Sequence, residues 1–323
     1  MNDIIKSIKQ KIVDFWIPLK IDSKKKRQGK IVSLIVLTIL AICIVLLCLV
    51  LIKYTKPRFI TNTYSDLYVL DTSSTINQEV TAIQNKIDPQ TGINADFERL
   101  IETNSDTVGF ISIPNTKLGY PVVKGKNNQF YLDKSLYKKE SKFGIPFVDY
   151  RATISPDYQS TNLTIYGHSA LDGTFFSVIK KYKDINFYKE HPTLIFNTII
   201  GDSQYKIIAL FLEDVNPSHG NFFNYHDFID AIDDNHTNTF IQNVTSRSYY
   251  IAPVDVEPTD QFVTLSTCDT EINKTDFRAV LVARKIRDGE STSVDVEKAS
   301  INKDQIMPKL WTEKKGKTNF YSE

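Results

Sequence analysis

Cysteine is scarce in this chain, with three in 323 residues. Their placement says more than their number. Cys43 and Cys48 fall within residues 31–52, a stretch without Asp, Glu, Lys or Arg, so Cys268 stands alone in everything that follows. That excludes a disulfide framework inside residues 53–323. A charge of one sign is also missing, because the formal net charge is +1. Nine of the 39 Lys and Arg and three of the 38 Asp and Glu lie in residues 1–30, leaving 30 basic against 35 acidic residues from position 53 onward. A mildly acidic folded part lacks the basic face that nucleic-acid binding requires. Internal repeats, low-complexity segments and βαβ alternation are absent too. His219, His226 and His236 lie near Asp227, Asp233 and Asp234, but their spacings match no compact metal-ligand motif. His191 precedes Pro192 at a strand start and reads as structural. No loop of closely spaced carboxylates suits calcium, so no metal or other cofactor is expected.

What the chain does have is a run of 22 uncharged residues, 31–52. As a helix rising about 1.5 Å per residue, such a run spans roughly 33 Å and can cross a bilayer. A cleaved signal peptide usually carries a shorter apolar region, about 7–15 residues, followed by a small-residue cleavage site. This run ends instead in Lys53, Tyr54, Thr55, Lys56 and Pro57. Lys20, Lys24, Lys25, Lys26, Arg27 and Lys30 precede it, against Lys53, Lys56 and Arg58 after it. The positive-inside bias then makes residues 1–30 a cytoplasmic tail, 31–52 a transmembrane anchor, and the rest extracellular. Within the tail, Ile4, Ile5, Ile8, Ile12, Phe15 and Trp16 suit either an amphipathic stretch on the inner membrane surface or a plain tail. In this orientation Cys268 is an odd cysteine outside the cytoplasm. It is either a pairing partner for another chain or a free thiol kept for chemistry.

Residues 53–107 read as a helical connecting region. Val80, Ile83 and Ile87 fit one helical face, and Phe97, Leu100 and Ile101 another, with Asp88, Pro89 and Gly92 breaking between them. Residues 108–287 have a different texture of short β-type runs at 109–114, 120–123, 144–148, 162–166, 193–198, 205–213, 248–252, 261–268 and 279–285. Eight or nine such strands predict a mainly β domain, either one closed antiparallel barrel or a sandwich. Helical patterning interrupts it at 171–182 and 222–244, the second placing Phe228, Ile232, Phe240 and Ile241 in a long insertion. The tail, 288–323, is polar and Lys-rich, with Trp311 as its single anchor point and partial disorder expected.

Residues 261–286 are the stretch around which the rest is organised. Val263, Thr264 and Thr267 give the first run β character up to Cys268, and the second is almost continuously apolar apart from Arg278. The Asp-, Asn-, Thr- and Lys-rich connection between them predicts antiparallel pairing that sets Arg278 beside the sulfur. A third group comes from Tyr166, Gly167 and His168, where a β run delivers a histidine at a strand end. A free thiol has a pKa near about 8.5, so a thiol nucleophile needs electrostatic help from an imidazolium or a guanidinium. Arg278 is equally suited to holding a peptide or an oxyanion. Taken singly, His168 reads as a satisfied structural histidine and Arg278 as a surface ion pair.

Together these residues resemble the sortases, membrane-anchored cysteine transpeptidases of Gram-positive surfaces. The resemblance rests on Thr264-Leu265-Ser266-Thr267-Cys268, on Arg278 ten positions later, and on Tyr166-Gly167-His168 a hundred positions earlier. Helices ahead of the barrel, the stretch at 104–114 and the helix-bearing insertion make it most similar to class B. The resemblance implies an eight-stranded β-barrel with the substrate groove bordered by the insertion. It also implies that Cys268 attacks a threonine carbonyl in the C-terminal sorting signal of an exported protein, forming a thioacyl enzyme. His168 would protonate the departing amine, and Arg278 would position the signal and support the oxyanion. Thr267, Ser266 and Leu265 would line the substrate. An amine from a cell-wall peptide precursor or a pilin lysine would resolve the thioester. Asp269, next to the nucleophile, opposes thiolate formation unless it points away. The long tail is an extension, a partner-binding segment or a cover over the groove. Two rival readings share the sequence: an extracellular thiol peptidase without transfer, and a membrane-tethered surface-binding domain with an inert Cys268.

Overall fold

The computed structural model describes residues 92–220, 222–270, 272 and 276–315, together with 36–47 and positions 6, 33 and 88. The chain divides into two units, Met1–Phe59 and Ile60–Glu323. In the first, residues 36–47 are helical and their apolar side chains are exposed. Among the described residues no helix is long and apolar enough to cross a membrane. The remainder of the expected span 31–52 lies outside the described residues, as do the amphipathic stretch in the tail and the helix expected through Val80, Ile83 and Ile87.

In the second unit the Asn94 side chain accepts from the Asp96 amide at 3.0 Å and starts a short 3-10 turn, Ala95–Phe97, that runs into α1 (Glu98–Thr103). An asparagine in extended conformation at this position satisfies an amide that the first turn would leave unpaired. Phe97 and Leu100 are fully buried and Ile101 packs partly against the same core.

The barrel is built from β1 (Thr107–Ser112), β2 (Gly119–Val123), β3 (Phe147–Val148), β4 (Asn162–Tyr166), β5 (Thr193–Thr198), β6 (Gln204–Asp214), β8 (Phe262–Cys268) and β9 (Phe277–Lys285). It closes in the order β1-β2-β3-β4-β8-β9-β6-β5. The sequence suggested a wholly antiparallel barrel or a sandwich, and the structure corrects this. β2 pairs parallel with β3, and β4 pairs parallel with β8. Parallel neighbours need a long crossover, and the one from β4 to β8 contains β5, β6 and the insertion. The run expected at 248–252 is not a barrel strand. It forms β7 (Tyr250–Ile251), which pairs outside the barrel with β10 (Ser300–Ile301). The pattern read as one helix at 171–182 becomes a 3-10 stretch, Phe176–Lys183, followed by α2 (Ile185–Glu190). Asp184 lies between them in extended conformation, and its side chain accepts from the Asn186 amide.

Strand alternation separates two cores. Val263 and Leu265 of β8 and Ala279, Leu281 and Ala283 of β9 face the barrel interior with Leu194, Tyr205 and Leu210. Phe262 of β8, Val280 and Val282 of β9, and Phe211 of β6 face outward into a second cluster. That cluster is covered by Tyr225, Phe228, Phe240 and Val244. Phe240 and Val244 lie on α3 (Asp234–Arg247). The insertion therefore folds onto the outer face of β8, β9 and β6.

The described part of the tail, 288–315, packs against the domain through the expected Trp311. Trp311 of α4 (Lys309–Lys315) is 3% exposed and joins the main core. Asn302 and Gln305 donate to the backbone carbonyls of Ser248 and Arg247 at 2.9 and 2.8 Å, satisfying groups beyond the end of α3. Glu290 pairs with Lys206 at 2.6 Å and with Arg284, two cations that the barrel buries. Polar residues here serve as partners for buried polar groups. Replacing Trp311 by Ala is expected to cost about 3–5 kcal/mol of unfolding free energy, as for other buried aromatics. Urea unfolding of the two chains checks this, and an unchanged midpoint would mean that the tail contributes nothing to the core.

Candidate active site

β8 lies between β4 and β9, and that position assembles the site. Cys268, the last residue of β8, pairs directly with Arg278 across the antiparallel β8–β9 ladder. On the other side, Tyr166 is in register with Ser266, and the Gly167 amide donates to the Ser266 carbonyl at 3.1 Å. Running parallel, the two strands deliver His168 and Cys268 at the same end of the sheet. By alternation from Phe262 and Val280, Cys268 and Arg278 stand on the outer face rather than in the interior. Gly167 is required on packing grounds, since a Cβ there would come within 2.8 Å of the Phe176 ring. The chain returns at once, with the Phe176 amide donating to the His168 carbonyl at 3.0 Å.

A cleft of about 300 Å³ contains Cys268, His168 and Arg278 in its lining. All three are half-buried. Ser266 and Thr267 also line it, and its walls come from Asn128, Leu132, Tyr166, Tyr225 and His226. Leu265, expected beside the substrate, sits elsewhere. It is fully buried in the barrel interior, on the face opposite Ser266. The His168 Nε2 lies 2.9 Å from the Leu132 carbonyl oxygen. A carbonyl oxygen can only accept, so Nε2 is the donor in this contact and Nδ1 is left outside it. Ser266 Oγ lies 2.7 Å from the Tyr225 hydroxyl, both buried, which ties the insertion to β8 two residues before Cys268. Burial pushes the Tyr225 hydroxyl up to about 12, so it stays protonated.

Asp269 points away from the sulfur's role. Its carboxylate is buried and pairs with Lys183 at 2.9 Å. The negative charge next to the nucleophile is thereby matched by a cation on the 3-10 stretch. The remaining histidines have separate partners. His219 Nδ1 is 2.7 Å from Asp214 Oδ2, His191 Nδ1 is 3.2 Å from the Pro114 carbonyl, and His236 Nδ1 accepts from the Ile232 amide at 3.3 Å. Among the described residues no group of three or more His, Cys, Asp or Glu is placed to hold a metal.

Asn128, Leu132, Tyr225 and His226 did not emerge from the sequence. They lie in connections whose position is set by the barrel's closure, and their local pattern carries no mark of the cleft. Tyr166 was in view beside Gly167 and His168. Glu213 was also unforeseen. It stands opposite Arg278 on the β6–β9 ladder, is 1% exposed, accepts from the Phe223 amide at 2.9 Å and lies 3.5 Å from Arg247. Arg247 in turn lies over the Phe223 ring, 5.0 Å from its centroid. Burial pushes the Glu213 carboxyl from its usual 4.5 up to about 7.

No protein-family model matches the chain. The chain is 29% identical to sortase B of Listeria monocytogenes over 227 residues, 68% of this chain and 88% of that protein. It is 28% identical to sortase B of Staphylococcus aureus over 200 residues, 61% of this chain and 78% of that protein. Among solved structures it is similar to the Staphylococcus aureus sortase B–substrate complex, with a TM-score of 0.55 and 29% identity, over 61% of this chain and 88% of that one.

A carboxyl whose pKa is raised on folding favours the folded state fully below its unfolded value and loses that contribution as pH rises through the folded value. For Glu213 the window is from about pH 4.5 to about 7. Replacing Glu213 by Gln is expected to flatten the fall in stability across that window, removing up to ~3 kcal/mol of pH dependence. Chemical denaturation at pH 5 and pH 8 checks it, and equal pH slopes for the two chains would refute it.

Proposed function

We infer that the chain, a class B sortase by these likenesses, is a cysteine transpeptidase acting through Cys268, His168 and Arg278. The observation that carries this is the β4–β8–β9 register, which brings a thiol, an imidazole and a guanidinium to one end of one sheet and opens all three to one cleft. The proposed substrate is a C-terminal sorting signal of an exported protein. The Staphylococcus aureus relative is known in complex with a substrate, which supports a peptide in the equivalent cleft here.

In the first half-reaction Cys268 Sγ attacks the carbonyl carbon of a threonine in the signal. The carbonyl oxygen takes up negative charge in the transition state, and the Arg278 guanidinium stabilises it there more than in the ground state. His168 gives the Nδ1 proton to the departing amine, the C–N bond breaks, and a thioester remains. In the second half an acceptor amine attacks the thioester, His168 Nδ1 takes its proton, and Cys268 leaves as thiolate. The contact between Nε2 and the Leu132 carbonyl keeps the ring oriented through both transfers. The acceptor is proposed to be an amine of a cell-wall peptide or a pilin lysine. Transfer to an amine rather than water separates this reading from a thiol peptidase.

We also propose that residues 31–52 anchor the enzyme in a membrane, with residues 1–30 cytoplasmic and the barrel outside. The 22 residues without charge, the basic cluster before them, and the exposure of Val36, Leu37, Ile39 and Leu40 above 50% on the described helix support it.

The test gives the full chain a panel of threonine-containing peptides with and without triglycine as acceptor amine. Cleavage that yields an amine-linked product, its loss in Cys268→Ala, and a fall in kcat of about a hundredfold to a thousandfold in Arg278→Ala are expected. Cleavage that persists in Cys268→Ala, or that gives hydrolysis products alone at every amine concentration, would overturn the proposal.

A further inference from the structure

Bonded to two residues of the cleft lining is a buried carboxylate that the proposed reaction does not use. Asp149 follows β3 and is fully buried. Its Oδ2 accepts from Asn128 Nδ2 at 3.0 Å, from the Tyr166 hydroxyl at 2.9 Å and from an Arg151 terminal nitrogen at 2.9 Å. Its Oδ1 accepts from Arg151 Nε at 2.9 Å and from the Arg151 amide at 3.0 Å. An ionised carboxylate offers about four lone-pair sites, so these five donors saturate it. Burial alone would push the Asp149 carboxyl up, but the bonds from Arg151, Tyr166 and Asn128 outweigh that and hold it below its usual range. Asn128 is fixed at both ends of its amide, because its Oδ1 accepts from the Tyr150 amide at 3.0 Å.

Arg151 also reaches the insertion. It donates to Asp227 Oδ1 at 2.8 Å and to the His226 carbonyl at 2.7 Å. His226 lines the cleft and belongs to the turn Tyr225–Asp227, whose tyrosine is bonded to Ser266. One guanidinium thus links Asp149, which holds Asn128 and Tyr166, to the Tyr225–Asp227 turn. A planar fork with five donors can hold a carboxylate bidentately and still serve two further acceptors, which a lysine cannot.

We propose that Asp149 and Arg151 form a positioning couple that fixes the Tyr225–Asp227 turn relative to Asn128 and Tyr166 in the lining of the substrate cleft and so controls how tightly the peptide is held. Neither group touches the reacting atoms. They act through Asn128, Tyr166 and the Tyr225–Asp227 turn. This rests on the transpeptidase reading for its kinetic consequence, but not for its structural one.

Two measurements on the full chain test it. With a peptide that the wild-type chain cleaves, Arg151→Ala and Asp149→Asn are expected to raise KM about tenfold to a hundredfold with a smaller change in kcat, as misplacement of binding groups does. Arg151→Lys is expected not to restore KM. Iodoacetamide should alkylate Cys268 at the wild-type rate in all of them, because the catalytic groups stay in register. Independently of any peptide, amide hydrogen exchange over residues 224–228 should accelerate about tenfold in Arg151→Ala, with β8 unchanged. Should the buried Asp149→Asn fail to fold, the half-exposed Arg151 variants carry both measurements. Unchanged exchange over 224–228, an unchanged KM, or full recovery by Arg151→Lys would overturn the couple. If the wild-type chain cleaves no peptide, the functional reading falls, and the exchange measurement still decides this inference.

Discussion

The interaction on which the rest depends is the seating of β8 between a parallel and an antiparallel neighbour. Side chains on a strand alternate with period two, so a slip of one residue would send Cys268 to the interior. The register is held from both faces. Val263 and Leu265 fill the barrel, while Phe262 fills the outer cluster under Phe228 and Phe240. The apolar pattern of β8 therefore does more than stabilise. It determines which face presents the sulfur, and the pairings with β4 and β9 determine what stands beside it.

A second theme is the attachment of the insertion. Three polar contacts fasten its first part to the barrel: Phe223 to Glu213, Tyr225 to Ser266, and Asp227 with His226 to Arg151. Glu213, Ser266 and Tyr225 are buried, so breaking the first two contacts would leave a buried polar group unsatisfied, whereas the Arg151 contacts are exposed to solvent. Phe228, Phe240 and Val244 supply the apolar part of the same attachment. Polar ties fix the position of this wall, and apolar contacts supply most of its cohesion.

Much of this was legible in the chain. The runs at 162–166 and 193–198 coincide with β4 and β5, and the polar stretch between two β runs correctly foretold that Arg278 would sit beside Cys268. What escaped was set by distant partners. Two parallel pairings cannot be read from strands whose local patterns look alike in either direction. The run at 248–252 has the composition of a barrel strand, yet it pairs with Ser300 and Ile301. Composition does not reveal how the described part of the tail attaches, because Asn302, Gln305 and Glu290 are polar residues occupied with buried groups. Leu265 belonged to the same motif as Ser266, but alternation places neighbouring residues on opposite faces.

The parallel pairing of β4 with β8 also governs when the chain acquires its chemistry. His168 and Cys268 are a hundred residues apart, and β5, β6 and the insertion lie in the chain between the two strands that bring them together. Contacts at such separation form slowly, because loop closure is costly before they reward it. Before those strands pair, Cys268 has neither His168 nor Arg278 beside it, so the grouping of thiol, imidazole and guanidinium at one cleft is itself a product of completed folding.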